Sequence, residues 1–299
     1  LAAAQRHKRQ LQQLAQATKN RRSNMTTSPR KIAFIGAGNM TQSIVGGMVK
    51  SGYPSELIYV SNPSQPKLDK LSSELHVHTS NNNAEVAAAA DVIVMSVKPQ
   101  LMADVCAALR AEVPNLADKL IVTIAAGIRI EKYRQYLGDS IRMIRVMPNT
   151  PSLVGKGMSG LVADDRASDD DRAYITEAFD GVGATLWVTN EDELDILGAV
   201  AGSGPAYFFE FMASLQKAAT ALGFDREKAR QMVQQTALGA AEMAIASELE
   251  LEDLRKQVTS KGGSTAKGIE VYQGAGIDDI SANAVKAAVQ RNQEMAKLF

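Results

Sequence analysis

The chain has 299 residues, 45% of them hydrophobic and 22% charged, which suits one large or two ordinary globular domains and excludes a disordered chain. Its formal charge is zero, but seven of the 33 basic residues (Arg6, Lys8, Arg9, Lys19, Arg21, Arg22 and Arg30) fall in the first thirty positions, which hold no acid. The remainder is therefore net acidic by seven charges, which argues against a nucleic-acid partner. A single cysteine, Cys106, excludes an internal disulfide and gives no sign of an oxidising compartment. No wholly apolar run approaches the roughly 18 residues that suggest a membrane span. The expected location is the cytoplasm.

Residues 1–24 are expected to be an upstream extension, with Met25 the natural start. Their leucines are too scattered for the apolar core of a secretion signal, and a transit peptide is the alternative. From Lys31 the pattern changes. Short β-branched runs at 32–35, 57–60, 92–97, 120–124 and 141–146 alternate with helix-like stretches such as 41–50 and 101–110. Runs apolar on both faces and spaced by helices predict a parallel sheet covered on each side. A further run at 185–188 precedes an acidic turn, Asn190 to Glu193.

Beyond that turn strands give way to helices. The stretch 206–222 (AYFFEFMASLQKAATAL) is apolar around too much of its circumference for a helix with one wet face, which predicts either a central helix or, in preference, burial against a partner subunit. Asp225 caps a second helix running towards Ala246, and helices are predicted over 251–258, 265–273 and 280–298. The fold class is thus a Rossmann-like α/β domain over 25–190, followed by an all-helical dimerisation and substrate domain over 191–299.

Five loops at the carboxyl edge of the predicted sheet carry chemistry. Gly36, Ala37, Gly38, Asn39 and Met40 leave the first strand and enter a helix. Glycines there allow a tight turn and let a pyrophosphate touch helix-start amides. The third glycine of that fingerprint is missing; Thr41 stands in its place, with Gly46 and Gly47 later. After the second strand comes Ser61, Asn62, Pro63, Ser64, where an NAD site usually has a carboxylate. Hydroxyl and amide groups without that charge favour NADPH, with NADH possible. Val97, Lys98 and Pro99 end the fourth strand, Ala125, Ala126 and Gly127 leave room for a nicotinamide ring, and Asn149 lies in another polar loop. In the helical half, Ser260, Lys261, Gly262, Gly263, Ser264 and Thr265 join two helices and can present several amides to a carboxylate. His76 and His78 alternate on a strand without metal-site partners, and the acid runs 164–165 and 169–171 read as solvated.

Together these segments resemble the pyrroline-5-carboxylate reductase family from Lys31 to Leu298. The matching pieces are IGAGNM at 35–40, VKPQ at 97–100, IAAG at 124–127, RVMPNTP at 145–151, GSGPAY at 202–207 and VTSKGGSTAKG at 258–268. The resemblance implies a cytoplasmic homodimer or larger ring, up to a decamer, that reduces 1-pyrroline-5-carboxylate to proline with NADPH or NADH. It places cofactor contacts on Gly36, Gly38, Asn39, Met40, Ser61, Asn62, Lys98 and Pro99, with Ala125 to Gly127 near the nicotinamide. Substrate contacts fall on Ser260, Gly262, Gly263, Ser264 and Thr265, with Thr265 bonding the substrate nitrogen, and on Glu248. Thr41, Lys261, Ser264 and Lys267 depart from the family pattern. The competing readings are a reductase of small hydroxy or keto acids and a non-catalytic NADPH-binding regulator.

Overall fold

A computed structural model describes residues 27–298; the expectations about residues 1–24 and Met25 fall outside them. The strands are β1 (Ile32–Ile35), β2 (Ile58–Ser61), β3 (His78–Ser80), β4 (Val92–Met95), β5 (Leu120–Thr123), β6 (Arg142–Met147), β7 (Gly157–Ala163) and β8 (Gly183–Trp187). Between and after them run α1 (Asn39–Lys50), α2 (Gln65–Leu75), α3 (Asn83–Ala89), α4 (Met102–Glu112), α5 (Ile130–Leu137), α6 (Asp169–Asp180) and α7 (Glu191–Leu197). The chain ends in α8 (Gly204–Ala221), α9 (Arg226–Ala246), α10 (Leu251–Gln257), α11 (Ser264–Gly274) and α12 (Ile277–Ala296).

The eight strands form one sheet in the order β3-β2-β1-β4-β5-β6-β7-β8. Alternation along β1 sends Ile32 and Phe34 to one face and Ala33 and Ile35 to the other. The first face packs on α1 (Ile44, Val45, Met48), α2 (Leu68, Leu71) and α6 (Tyr174, Ile175, Phe179). The second packs on α3 (Val86), α4 (Met102, Cys106, Leu109) and α5 (Tyr133, Leu137). Burial on both faces is what makes these strands continuously apolar in sequence. The order reverses between β1 and β4, and ligands of doubly wound sheets bind at the carboxyl ends of the strands at such a switch point.

Three expectations need correction. The sheet is not wholly parallel: β7, which the sequence pattern missed, runs antiparallel to β6, after a helical turn that ends at Gly155 in the left-handed conformation. Arg30, one of the basic residues of the first thirty positions, pairs with Asp170 and, at 2.6 Å, with Asp171. The acid runs are correspondingly only half solvated; Asp171 is fully buried between Arg30 and Arg142, and Asp164 is buried beside Arg134. The two histidines do not share a strand: His76 ends α2 at φ 57°, while His78 stacks on Tyr59.

The described residues divide into two compact units, one spanning Ala206–Lys286 and the other running to Pro205 and resuming at Ala287. By this division α7 and the last turns of α12 belong with the sheet, whereas the sequence pattern set a boundary at 190. In the helical unit few side chains are covered: Phe208 is 71%, Phe209 63% and Val271 71% exposed. The continuous helical run Glu191–Ala221 is, by length and composition alone, long and apolar enough to cross a membrane, contrary to the expectation from uninterrupted apolar runs.

Candidate active site

The first loop is shaped by its glycines. Gly36 has φ +110°, and a Cβ there would lie 2.9 Å from the Ser96 carbonyl oxygen, so no other residue fits without moving β4. Its N–H donates to Ser61 O at 2.8 Å. Gly38 is the N-cap of α1, with no side-chain cap and nothing within 4 Å of where a Cβ would stand. The first amides of α1 therefore open onto unobstructed space beside Asn39, which is exposed, and Met40, which is half-buried. The missing third glycine has a substitute: Thr41 is buried, and the close approach falls at Gly47, where a Cβ would stand 2.1 Å from Val182 Cγ1. That open helix start is a cradle that suits a pyrophosphate.

The turn after β2 is more constrained than its sequence suggests. Ser61 is fully buried and its hydroxyl donates to Asn83 Oδ1 at 2.8 Å, so it has no group to offer a 2′-phosphate. The Asn62 side chain is also engaged: Oδ1 accepts from Ala37 N–H at 3.2 Å and Nδ2 donates to Ser64 O at 3.3 Å. The Ser64 hydroxyl, at the exposed N-cap of α2, makes no side-chain cap bond and has no hydrogen-bond partner among the described residues. Lys67, exposed in the first turn of α2, was overlooked in the sequence although it stands three residues from Ser64. The asparagines that brace this turn, Asn81 to Asn83, were also missed, because only the pairing of β2 with β3 brings them alongside.

Val97 packs on the second core face, while Lys98 is exposed ahead of a 3-10 turn that begins at Pro99. At the end of β5, Ala125 N–H donates to Thr123 Oγ1 at 3.2 Å, and that hydroxyl pairs with the buried Tyr133 hydroxyl at 2.6 Å. Burial pushes the Tyr133 phenol up, away from proton transfer near neutral pH. Gly127 has φ +80°, and a Cβ would sit 3.3 Å from Met295 Cβ. Its small size admits the end of α12, a reason different from the expected space for a nicotinamide; Ala125 and Ala126 remain half-buried at the rim. Asn149 is likewise engaged in the scaffold, with Oδ1 accepting from Met158 N–H and Nδ2 donating to Ala201 O, both at 2.9 Å. Ala201 lies in a π-helical turn, Gly198–Gly202, a rare element that gathers at functional sites.

The acidic turn at 190–193 is the start of α7 and anchors it to the rim. Glu191 pairs with the buried Arg145 and accepts from Ile130 N–H at 3.0 Å, while Arg129 pairs with Asp192 at 2.6 Å and Asp195 at 3.2 Å. Burial pushes the Asp195 carboxyl up, against the pull of Arg145 and Arg129.

The helical unit has its own polar loop. Thr259 Oγ1 donates back to Arg255 O at 2.6 Å, Gly262 turns the chain at φ +75°, and Gly263 N–H donates to Ser260 O at 3.0 Å. Gly263 is the N-cap of α11 and has no side chain to cap it, so the N–H groups of the first turn are left open. Ser264 and Thr265 are the first two residues of that helix, both exposed, and Thr265 Oγ1 has no hydrogen-bond partner among the described residues. Lys261 and Glu248 are exposed, whereas Lys267 pairs with Glu270 at 2.7 Å. Such a loop suits a carboxylate.

Residues 191–295 match the family model described as pyrroline-5-carboxylate reductase dimerisation, and residues 31–127 match one described as NADP oxidoreductase coenzyme F420-dependent. A pyrroline-5-carboxylate reductase of Vibrio alginolyticus is 46% identical over 271 residues, covering 90% of this chain and 99% of that protein. The solved pyrroline-5-carboxylate reductase of Coxiella burnetii superposes with a TM-score of 0.86 at 38% identity, covering 90% of this chain and 99% of the other. That of Plasmodium falciparum, solved with NADP bound, gives a TM-score of 0.79 at 28% identity, covering 90% and 99%.

Proposed function

The chain belongs to the pyrroline-5-carboxylate reductase family, and from that premise we propose that it reduces 1-pyrroline-5-carboxylate to L-proline with NADPH in preference to NADH. The observation that carries the reading is a pair of uncapped helix starts, α1 in the sheet unit and α11 in the helical unit, each preceded by a glycine loop. One suits a pyrophosphate and the other a substrate carboxylate.

Bound nicotinamide supplies the hydride, which adds to the C=N carbon of the protonated imine. The protein's work is orientation and exclusion of water. Gly36 and Gly38 let the pyrophosphate reach the α1 amides, and Ser64 with Lys67 faces the 2′-phosphate. Lys98, Pro99, Ala125 and Ala126 form the rim for the nicotinamide end. Ser260, Gly262, Gly263 and Ser264 hold the carboxylate, chiefly through α11 amides, and the free Thr265 hydroxyl bonds the ring nitrogen. An alcohol is too weak an acid to protonate the imine, so solvent supplies that proton and Thr265 orients the nitrogen. The exposed aromatic face of α8 fits a homodimer formed through the helical domain, from which larger rings can be built in the cytoplasm.

The test is turnover of pyrroline-5-carboxylate against a small keto acid, with each cofactor, for the parent chain and Thr265→Ala. The expected result is imine reduction alone, with turnover in the variant lowered at least about tenfold and NADPH affinity unchanged. Keto-acid turnover in place of imine turnover overturns the substrate assignment, binding of NADPH without turnover identifies a regulator, and parent-like turnover by Thr265→Ala removes that residue from its role.

A further inference from the structure

We propose that Asn81 is a positioning residue for cofactor selection: its side-chain amide holds the Asn62 carbonyl and so fixes the turn that presents Ser64 and the start of α2 to the cofactor's 2′-phosphate. The inference rests on the NADPH reading above and adds a residue that does not itself touch the cofactor.

Every hydrogen-bonding group of Asn62 is engaged. Its N–H donates to Ser80 O at 3.3 Å, its side chain bonds Ala37 N–H and Ser64 O, and its carbonyl accepts from Asn81 Nδ2 at 2.9 Å. Three of these partners are main-chain groups; only Asn81 contributes a side chain. The peptide it holds is unusual, because Pro63 follows. Proline has no N–H, so the Asn62 carbonyl is the sole hydrogen-bonding group of that peptide plane. Pro63 also fixes its own φ and confines Asn62 to extended conformations. Of the freedoms left in the turn, the tilt of this plane sets the direction in which the chain leaves Asn62, and the Asn81 amide is what clamps it. Ser64 follows two residues later, with an exposed hydroxyl and no cap bond to restrain it. The clamp is local, since Asn81 is exposed and its neighbour Asn82 separately caps α3 through Ala84 and Glu85 N–H.

The test uses the full chain, unaltered and as Asn81→Ala, with adenosine 2′,5′-bisphosphate and adenosine 5′-monophosphate as calorimetric probes. The parent is expected to prefer the bisphosphate. In the variant that preference falls about three- to tenfold, the scale of one lost hydrogen bond, while monophosphate affinity and the ligand-free melting temperature stay at parent values. In steady state, KM for NADPH rises and kcat does not change. An undiminished preference in Asn81→Ala overturns this inference alone, as does equal weakening of both probes, which marks general loosening of the turn. A parent that does not distinguish the probes overturns the NADPH reading and this inference with it.

Discussion

Replacing Gly36 and Gly38 separately by alanine divides the folding role of the first loop from its binding role. At Gly36 the new side chain meets φ +110°, a conformation that costs an L-residue about 1–3 kcal/mol. Its Cβ also falls 2.9 Å from Ser96 O and 3.1 Å from Ser96 C, and because both are backbone atoms the end of β4 must shift, adding about 1–3 kcal/mol. A combined loss of about 2–6 kcal/mol is a large part of the 5–15 kcal/mol typical of a folded domain. At Gly38 the backbone (φ −69°, ψ 173°) already suits alanine and no atom lies within 4 Å of the added carbon. The cost to folding there is the weaker helix cap, about 0.5–1 kcal/mol. The methyl group nonetheless occupies the space through which a pyrophosphate reaches the α1 amides, so the NADPH dissociation constant should rise at least about tenfold, as for the loss of one or more charge-assisted hydrogen bonds. Thermal unfolding without ligand, together with NADPH fluorescence titration, reads both quantities. Parent-like NADPH affinity in Gly38→Ala would refute the assignment of this helix start to the cofactor, and a parent-like melting temperature in Gly36→Ala would refute the strain argument.

Ser64→Asp should move stability and affinity in opposite directions: a carboxylate caps α2 at least as well as the hydroxyl but repels a 2′-phosphate, so NADPH binding falls more than about tenfold while NADH binding holds, as titration of both cofactors will show. Asp171→Asn removes the carboxylate that Arg30 and Arg142 share and should cost about 2–3 kcal/mol in urea denaturation. Burial alone would raise the Asp171 pKa, but hydrogen bonds from Arg30 and the Ser168 N–H, with the charge of Arg142, hold it below the ordinary carboxylate value. Its stabilisation is therefore present above the unfolded-state pKa near 4 and lost as pH falls through the lower folded value, so the variant should lack part of the parent's acid sensitivity below about pH 4. Burial pushes the Cys106 thiol up to about 12, and iodoacetamide at pH 8 should label it only after unfolding; labelling of the native chain would contradict its place in the core.

What was legible in the sequence was local. The β1 run, the paired glycines after it and the Asp225 cap, whose carboxylate accepts from Glu227 and Lys228 N–H, all express interactions within a few residues. β7 was not legible, because its segment GMSGLVA has two glycines and no clean alternation; Gly160 is small since a Cβ there would meet Leu197 at 2.6 Å, a contact made 37 positions away. Asp171 read as solvated for the same reason, its partner Arg30 lying 141 positions upstream.

The polar residues at the ligand edge carry the sharper lesson. Ser61, Asn62, Ser64 and Asn149 have residue types suited to binding, and sequence ranks them alike. The fold separates them by where their hydrogen bonds go: Ser61 to Asn83, Asn62 to Ala37 and Ser64, and Asn149 to Met158 and Ala201. A buried polar group such as Ser61 or Asn149 keeps its partners because leaving it unsatisfied costs more than the bond's net contribution, and half-buried Asn62 is held by bonds on both ends of its amide, so these three build the site without being available to a ligand. Availability belongs to the side chains left over, Ser64 at the start of α2 and Thr265 at the start of α11. Each stands at a helix start that no side chain caps, so that a hydroxyl and open first-turn N–H groups can act on one anion, fewer at α2, where Pro66 has no N–H, than at α11.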